Sequence, residues 1–225
     1  MRYSILKGGK SLSGYILLHP IALPGEGDFA FADFELTAKA QALNRNSVIA
    51  SGLLFHFESM ILRLARPSDL ELLRYWDEKP HIIANWGNDE NMDWGRELPR
   101  RPDWREFLIA ENRGRPIGFM QIIDPAREES HYWGEVEENL RAIDIWIGEE
   151  TDLGRGYGTQ MMRLALERCF ADGTATAVLL DPLTSNTRAH RFYERLGFQR
   201  IEQRRFGNDD CFVYRLERDF YLKAK

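Results

Sequence analysis

Residues 153–159 read Leu153-Gly154-Arg155-Gly156-Tyr157-Gly158-Thr159 and place a glycine at every second position between a predicted strand and a predicted helix. Without Cβ atoms, successive backbone N–H groups can approach an anion closely, and the start of the following helix adds its positive dipole end. Arg155 and Thr159 supply side-chain donors. The segment lacks the Lys-Ser/Thr of a Walker loop, so it indicates a different cradle for a pyrophosphate; an ordinary glycine-rich turn is the alternative.

The strand before this glycine loop carries Ile143, Ile145 and Ile147 in alternation with Asp144 and Trp146. A period of two sends alternate side chains to opposite faces of a sheet. The isoleucines should therefore face a core, and Asp144 should project from the middle of the strand into a cleft. A carboxylate paired with a nearby arginine is the alternative for Asp144.

A second informative segment covers residues 181–198, one strand further along the chain. Within it, the pattern Asn-x-x-Ala-x-x-Phe-Tyr-Glu-x-x-Gly-Phe begins at Asn186. Asn186 or Ser185 is suited to cap the helix that carries this pattern. Because Phe192 and Tyr193 are adjacent on that helix, one of the two rings must point away from its apolar stripe. A tyrosine buried only for packing is the alternative to a catalytic acid.

Together, the glycine loop and this second motif resemble the GNAT superfamily of acetyl-CoA-dependent N-acetyltransferases, over roughly residues 60 to 220. The resemblance implies an α/β fold: a GNAT-like mixed, mostly antiparallel sheet flanked by helices, with a V-shaped cleft for acetyl-CoA. It also implies that Asn186 holds the pantetheine arm and that Tyr193 is a catalytic acid beside the thioester sulfur. Leu153 departs from the family, because many members have Gln or Arg there. The residues that the resemblance assigns to the coenzyme are Trp146, Ile147, Gly154, Arg155, Gly156, Tyr157, Gly158, Thr159 and Asn186.

Three shorter features resemble the aminoglycoside 6′-N-acetyltransferases within that superfamily. They are Asn85-Trp86-Gly87-Asn88-Asp89-Glu90, then Tyr132-Trp133 followed by acidic residues and Arg141-Ala142-Ile143-Asp144, and then Asp181-Pro182 with Ser185-Asn186. The resemblance implies that Asp144 and Asp181 face the amines of the acceptor, and that Trp86 and Trp133 pack on its sugar rings. It also makes Asp144 the catalytic base that takes the amine proton, with a water as the alternative base.

Charge is spread unevenly along a chain whose net charge is −5. Residues 77–152 carry 9 basic and 19 acidic side chains, whereas residues 153–225 carry 13 and 9. An acidic middle third should attract a cationic partner, while the basic last third suits an anionic one. Nucleic acid is disfavoured as the main partner. Ordinary solvated surface charge is the alternative.

With 225 residues and a 44% hydrophobic composition, the chain has material for one principal domain. We expect an N-terminal extension of unknown role over residues 1–59 and an acetyltransferase domain over 60–225, with Met60 as a candidate natural start. The longest apolar runs fall far short of the ~18 residues that a membrane span needs. Cys169 and Cys211 alone form neither a disulfide framework nor a zinc site. We therefore expect a cytoplasmic protein with no metal and no membrane partner.

These observations indicate transfer of an acetyl group from acetyl-CoA to a primary amine of a cationic small molecule, with an aminoglycoside as the acceptor that the resemblance favours. Alternatives are another amine metabolite as acceptor, a non-catalytic acetyl-CoA-binding module, and an interaction protein built on residues 1–59. The histidines show no metal-ligand spacing, and His190 is expected on a helix surface. The oligomeric state is left open.

Overall fold

The structure is a computed structural model that describes four strands within residues 2–57 and, beyond them, residues 60–85 and 92–224. The chain divides into two compact units, Met1–Ser59 and Met60–Lys225. That the first unit is an extension of the second stays a prediction. The strands of the first unit are β1 (Arg2–Lys7), β2 (Lys10–Tyr15), β3 (Ser47–Ala50) and β4 (Leu53–Phe57). They form an antiparallel sheet in the order β2-β1-β4-β3.

The second unit combines seven strands with six helices among the described residues. The strands are β5 (Met60–Leu64), β6 (Arg105–Asn112), β7 (Arg115–Ile123), β8 (Leu140–Ile147), β9 (Ala177–Leu180), β10 (Gln199–Phe206) and β11 (Asp209–Glu217). The helices are α1 (Leu70–Asp77), α2 (Pro80–Ile83), α3 (Trp94–Glu97), α4 (Tyr157–Cys169), α5 (Thr187–Arg195) and α6 (Arg218–Ala224). In the part of the chain that the structure describes, every helix is too short or too polar to cross a membrane.

One sheet runs through the second unit in the order β10-β11-β9-β8-β7-β6-β5. All neighbouring strands are antiparallel except β8 and β9, which run parallel. Their pairing covers only Leu140–Ala142 opposite Ala177–Leu179. Beyond Ala142 the two strands part, so the second half of β8 presents its edge to a cleft. The prediction of a mixed, mostly antiparallel α/β sheet flanked by helices is confirmed.

Hydrophobic side chains cover both faces of this sheet, and β8 contributes to each. Its three isoleucines pack in the core that α4 covers, as their alternation predicts. Trp146 points to the other face and packs with the cluster that contains Trp76 of α1. A Cβ atom at Gly148 would overlap the Trp76 ring, so glycine is required where α1 crosses the end of β8.

Candidate active site

A cleft of about 790 Å³ opens where β8 and β9 part. Most of the residues singled out in the sequence line it, although they come from five separate segments of the chain. They are Trp133, Asp144, Trp146, Ile147, Gly154, Gly156, Gly158, Thr159, Asp181, Asn186 and Tyr193. Arg155 and Tyr157, both described by the structure, do not line the cleft. Trp86 lies outside the described residues.

The end of β8 offers main-chain groups to the cleft. The N–H of Gly148 donates to the carbonyl of Ile117 on β7 at 2.9 Å. In a strand, the N–H and C=O of one residue point to the same side, and those of the next residue point to the other side. The N–H and C=O of Ile147 therefore face away from β7. There the Ile147 carbonyl lies 3.0 Å from Nε2 of His81, a cleft-lining residue of α2 that the sequence analysis missed.

The glycine loop leads from the end of β8 into α4. Gly154 and Gly156 have φ values of 76° and 80°, a left-handed backbone that favours glycine, and Gly156 caps α4. A Cβ atom at either position would have no atom within 4 Å, so this backbone is open on its outer side. Among the described residues, the N–H groups of 154–156 donate to no backbone carbonyl. Unused amides at the start of a 13-residue helix fit a pyrophosphate.

Two residues of the loop point elsewhere. The Arg155 side chain is 60% exposed, and its Nη1 lies 3.8 Å from Oδ1 of Asp152. The Tyr157 hydroxyl accepts a hydrogen bond from Nδ2 of Asn112 at 3.3 Å, on the side of the β6–β7 hairpin. Any contribution of Tyr157 to a ligand in the cleft would therefore come from its main chain.

Asp144 lies in the middle of β8, directly opposite Gln121 of β7. Nε2 of Gln121 donates a hydrogen bond to Oδ2 of Asp144. The other polar atom of that amide, Oε1, is buried and accepts no hydrogen bond within the described structure. Both residues line the cleft. Gln121 therefore holds one carboxylate oxygen of Asp144, and the sequence analysis did not identify it.

Tyr193 is 8% exposed at the cleft wall, on α5. Burial raises the pKa of its hydroxyl well above the usual range, and the negative charges of Asp144 and Asp181 raise it further. The phenol is therefore neutral at neutral pH and can donate a hydrogen bond from its hydroxyl, and the raised pKa makes it a weaker acid than a free tyrosine. Tyr193, Asp144 and Asp181 line the same cleft.

Asp181 follows β9 and is held by an aromatic group. The hydroxyl of Tyr132 donates to Oδ2 of Asp181 at 2.7 Å, and the Tyr132 ring stacks on Phe206 at 4.6 Å. Trp133 packs edge-on against Phe206 at 5.3 Å and is only 4% exposed, whereas Tyr132 is 41% exposed. Of this aromatic pair, Tyr132 presents the larger open surface.

In the segment after Asp181, the prediction that Asn186 caps a helix is confirmed, and the prediction that His190 lies on a helix surface is wrong. Oδ1 of Asn186 accepts a hydrogen bond from the N–H of Ala189 at 3.0 Å, so Asn186 caps α5 and retains its amide nitrogen for a ligand. His190 is buried, not on the helix surface. Its ring stacks on Tyr214 of β11 at 5.7 Å, because this face of α5 packs on the sheet.

The fold and the cleft define a class of protein. The structure has the mixed, mostly antiparallel sheet flanked by helices that the resemblance of the two motifs implies, and its cleft opens where β8 and β9 part, beside the glycine loop. The family profile described as acetyltransferase (GNAT) domain matches residues 66–206. The chain belongs to the GNAT superfamily and is an N-acetyltransferase with acetyl-CoA as its co-substrate.

Individual relatives add detail. The chain is 32% identical over 157 residues to the aminoglycoside N(6')-acetyltransferase type 1 of Klebsiella pneumoniae, covering 64% of this chain and 75% of that protein. It is 28% identical over 173 residues to the lysine N-acyltransferase MbtK of Mycolicibacterium paratuberculosis, covering 69% and 72%. The crystal structure of the aminoglycoside acetyltransferase AAC(6')-Ib with coenzyme A and kanamycin matches with a TM-score of 0.65 and 27% identity, covering 74% of this chain and 99% of that one.

Proposed function

We propose that this N-acetyltransferase acetylates the 6′-amine of an aminoglycoside by direct transfer within a ternary complex. One observation carries the proposal: a single cleft joins the glycine loop to two carboxylates, Asp144 and Asp181, that both act on the buried Tyr193 hydroxyl. The Klebsiella pneumoniae relative is named for this reaction, and a solved relative holds kanamycin together with coenzyme A. A cationic acceptor fits a site with two carboxylates.

The coenzyme end of the cleft consists of the glycine loop, the free edge of β8 and Asn186. The amides of 154–156 and the start of α4 would bind the pyrophosphate. The main chain of Ile147 and the amide nitrogen of Asn186 would bind the pantetheine arm. When bound, acetyl-CoA supplies an acetyl group activated as a thioester. These residues fit that ligand because the loop exposes donors and leaves room outside Gly154 and Gly156.

The acceptor end of the cleft consists of Asp144, Asp181 and Tyr132. An ammonium group has no lone pair, so one acceptor amine must lose a proton before it can attack a carbonyl carbon. Asp144 would hold that amine and take the proton, directly or through a water, while Gln121 keeps its carboxylate in place. Asp181, fixed by Tyr132, would bind a second ammonium of the same molecule.

Tyr193, which lines the same cleft as Asp144 and Asp181, would complete the reaction at the thioester sulfur. Its hydroxyl would donate a proton to the departing sulfur. The phenol is neutral at working pH, so its O–H can donate to the sulfur as negative charge develops there, and the proton passes to the sulfur as the C–S bond breaks.

A matched pair of aminoglycosides tests the acceptor. Neomycin and paromomycin differ at the 6′ position, where neomycin carries an amine and paromomycin a hydroxyl. Release of the coenzyme A thiol should be rapid with neomycin and kanamycin and close to the background hydrolysis rate with paromomycin. Equal rates with neomycin and paromomycin would contradict the 6′ assignment, because the acetyl group would then go to another amine.

The lysine N-acyltransferase relative supports a second candidate acceptor, a flexible alkyl amine such as the lysine ε-amine. The same assay with Nα-acetyl-lysine and with linear polyamines separates the two. A kcat/KM with these amines that exceeds the value for kanamycin would overturn the aminoglycoside assignment and leave the N-acetyltransferase activity intact.

A further inference from the structure

The turn between β6 and β7 contacts residues on both sides of Gly154 and Gly156. Asn112 ends β6 and Arg115 begins β7, so both belong to one short hairpin. Asp152 precedes the loop, and Tyr157 is the first residue of α4. The sequence separation between hairpin and loop is about forty residues, and no sequence motif connects them.

The contact in front of the loop is a paired ionic one. Nη1 and Nη2 of Arg115 donate to Oδ2 and Oδ1 of Asp152 at 2.7 and 3.0 Å. The Asp152 side chain is 3% exposed and that of Arg115 51%. Hydrogen bonding from Arg115 lowers the pKa of Asp152 despite its burial, and Arg155 adds to the effect. Asp152 is therefore a buried anion with a fixed partner.

The second contact involves Tyr157, which lies between Gly156 and Gly158. Its hydroxyl accepts a hydrogen bond from Nδ2 of Asn112 at 3.3 Å. The hydrogen bond to Asp152 is the main cause that raises the pKa of Arg115, and the Tyr157 hydroxyl contributes to the same rise. Two residues of one hairpin, Arg115 and Asn112, thus contact Asp152 and Tyr157 respectively.

We propose that this hairpin is a clamp that holds the glycine loop in the shape that binds the coenzyme, with Arg115 and Asp152 as positioning residues. The inference rests on the proposed role of the loop as the pyrophosphate site. Glycines have the widest choice of backbone conformations, so a loop with three of them loses much entropy when it is ordered. Hydrogen bonds from the β-hairpin to Asp152 and Tyr157 remove part of that freedom before the coenzyme binds.

Charge alone and the clamp make opposite predictions for one substitution. Asp152→Asn removes a negative charge next to the loop, so electrostatics alone should tighten the binding of an anionic pyrophosphate. The clamp predicts weaker binding, because Arg115 loses its carboxylate partner. If the fraction of loops in the binding shape falls to about a tenth, the apparent Kd rises about tenfold.

A charge-conserving substitution provides the second arm. Arg115→Lys keeps the positive charge but cannot form the two-pronged contact with a carboxylate. Binding should weaken several-fold. Arg113→Ala is the matched control, since Arg113 lies in the same turn, and removing its charge should leave the affinity within about twofold if long-range charge is screened.

Calorimetric titration of the full-length chain with acetyl-CoA gives the Kd of each variant, and steady-state assays give KM and kcat. The clamp predicts a higher Kd and a higher KM for acetyl-CoA in Asp152→Asn and Arg115→Lys, with the KM for the amine unchanged and Tm values confirming a folded protein. Tighter binding in Asp152→Asn, or an unchanged Kd in Arg115→Lys, would overturn the clamp.

Gly156→Asp separates the clamp from the proposed function. If Gly156→Asp weakens acetyl-CoA binding while the two clamp variants do not, the loop binds the coenzyme without needing the hairpin. If none of the three changes the affinity, the loop is not the coenzyme site and both inferences fail.

Discussion

The two ends proposed for the cleft, one for the coenzyme and one for the acceptor, are built in different ways. The coenzyme end depends on the consecutive residues 153–159. They contribute main-chain N–H groups and the open space that glycine leaves because it has no side chain. The acceptor end depends on individual side chains, Asp144, Asp181, Tyr132 and Tyr193, brought together from separate elements. Main-chain chemistry tolerates most changes of side chain except an added bulk or charge. The acceptor end should instead be sensitive to the loss of a single atom.

The distribution of charge along the sequence can be compared with the charged residues that line the cleft. The acidic excess lies in residues 77–152, which supply the cleft carboxylates Glu128, Asp144 and Asp152, whereas Asp181 and Asp209 come from the basic last third. Glu97 belongs to the acidic third but serves structure. Burial opposes its charge, but hydrogen bonds from three arginines lower the pKa of Glu97 to about 2. Charge counted along the chain therefore predicts charge in the cleft only in part, since it misses Asp181 and Asp209 and includes the arginine-paired Glu97.

The largest effect is expected from the loss of one atom at the acceptor end. Tyr193→Phe keeps the ring in its buried position and removes the hydroxyl. Turnover should fall by ~10²–10⁴-fold, the usual range for a general acid, while the Kd for acetyl-CoA stays unchanged. Steady-state kinetics with kanamycin and calorimetry with acetyl-CoA measure the two effects. A rate within about twofold of the wild type would make Tyr193 a packing residue.

At the coenzyme end, weaker acetyl-CoA binding is expected when a side chain is added, not when an atom is removed. Gly156→Asp places a negative side chain where the backbone is open, and acetyl-CoA binding should weaken by ~10–100-fold through repulsion of the pyrophosphate. Gly156→Asn is the matched control, because Asn has nearly the same shape, tolerates a positive φ equally well and carries no charge. It should weaken binding less. Equal losses in Asp and Asn would show that backbone strain, not charge, causes the effect.

The sequence predicts the coenzyme end better than the acceptor end for a physical reason. A loop of consecutive residues shows its whole chemistry in one motif, and the alternation around Asp144 also reveals which face that residue occupies. Gln121 and Tyr132 could not be found in this way. Each acts through a partner that only the sheet register and a long loop bring near, Asp144 for Gln121 and Asp181 for Tyr132.

His190 shows the limit of local patterns in the other direction. The sugar-packing role that the resemblance implies for Trp133 stays a prediction, and its ring lines the cleft while it packs against Phe206. His190 was expected at the surface, and β11 covers it. Both side chains stand next to residues with open surface, so only the packing of a distant strand decides which neighbour is exposed.

A smaller effect should distinguish the two ends by their response to salt. Raising the ionic strength from 20 to about 200 mM shortens the Debye length from roughly 20 Å to less than 10 Å and weakens attraction between the cleft and a polycation. The KM for kanamycin should rise several-fold. In Asp181→Asn, the KM at low salt should already be higher and its salt dependence weaker. A wild-type KM for kanamycin that does not change with salt would argue against a polycationic acceptor.

The smallest effect on activity is expected from the scaffold behind the acceptor end. Asp77 is 4% exposed and accepts a hydrogen bond from Nε1 of Trp94, whose ring lies 6.4 Å from that of Trp146. Burial raises the pKa of Asp77 from 3.8 to about 6, and the Trp94 hydrogen bond only partly opposes this rise. Because the folded state holds this proton more tightly than the unfolded state, ionisation costs stability as the pH rises from about 4 through 6.

Asp77→Asn removes that cost, since its side chain cannot ionise and its oxygen can still accept from Trp94. A pKa raised from 3.8 to about 6 corresponds to about 3 kcal/mol for complete ionisation, so wild-type stability should fall relative to Asp77→Asn by about 2 kcal/mol between pH 4.5 and pH 7.5. Thermal unfolding of both proteins at the two pH values measures the difference, and kcat at neutral pH should hardly change. A Tm difference that is the same at both pH values would show that Asp77 does not titrate in this range. A large fall in kcat would instead show that Asp77 affects the acetyl transfer as well as the stability. The contrast between reacting side chains and side chains that only support them would then not hold for Asp77.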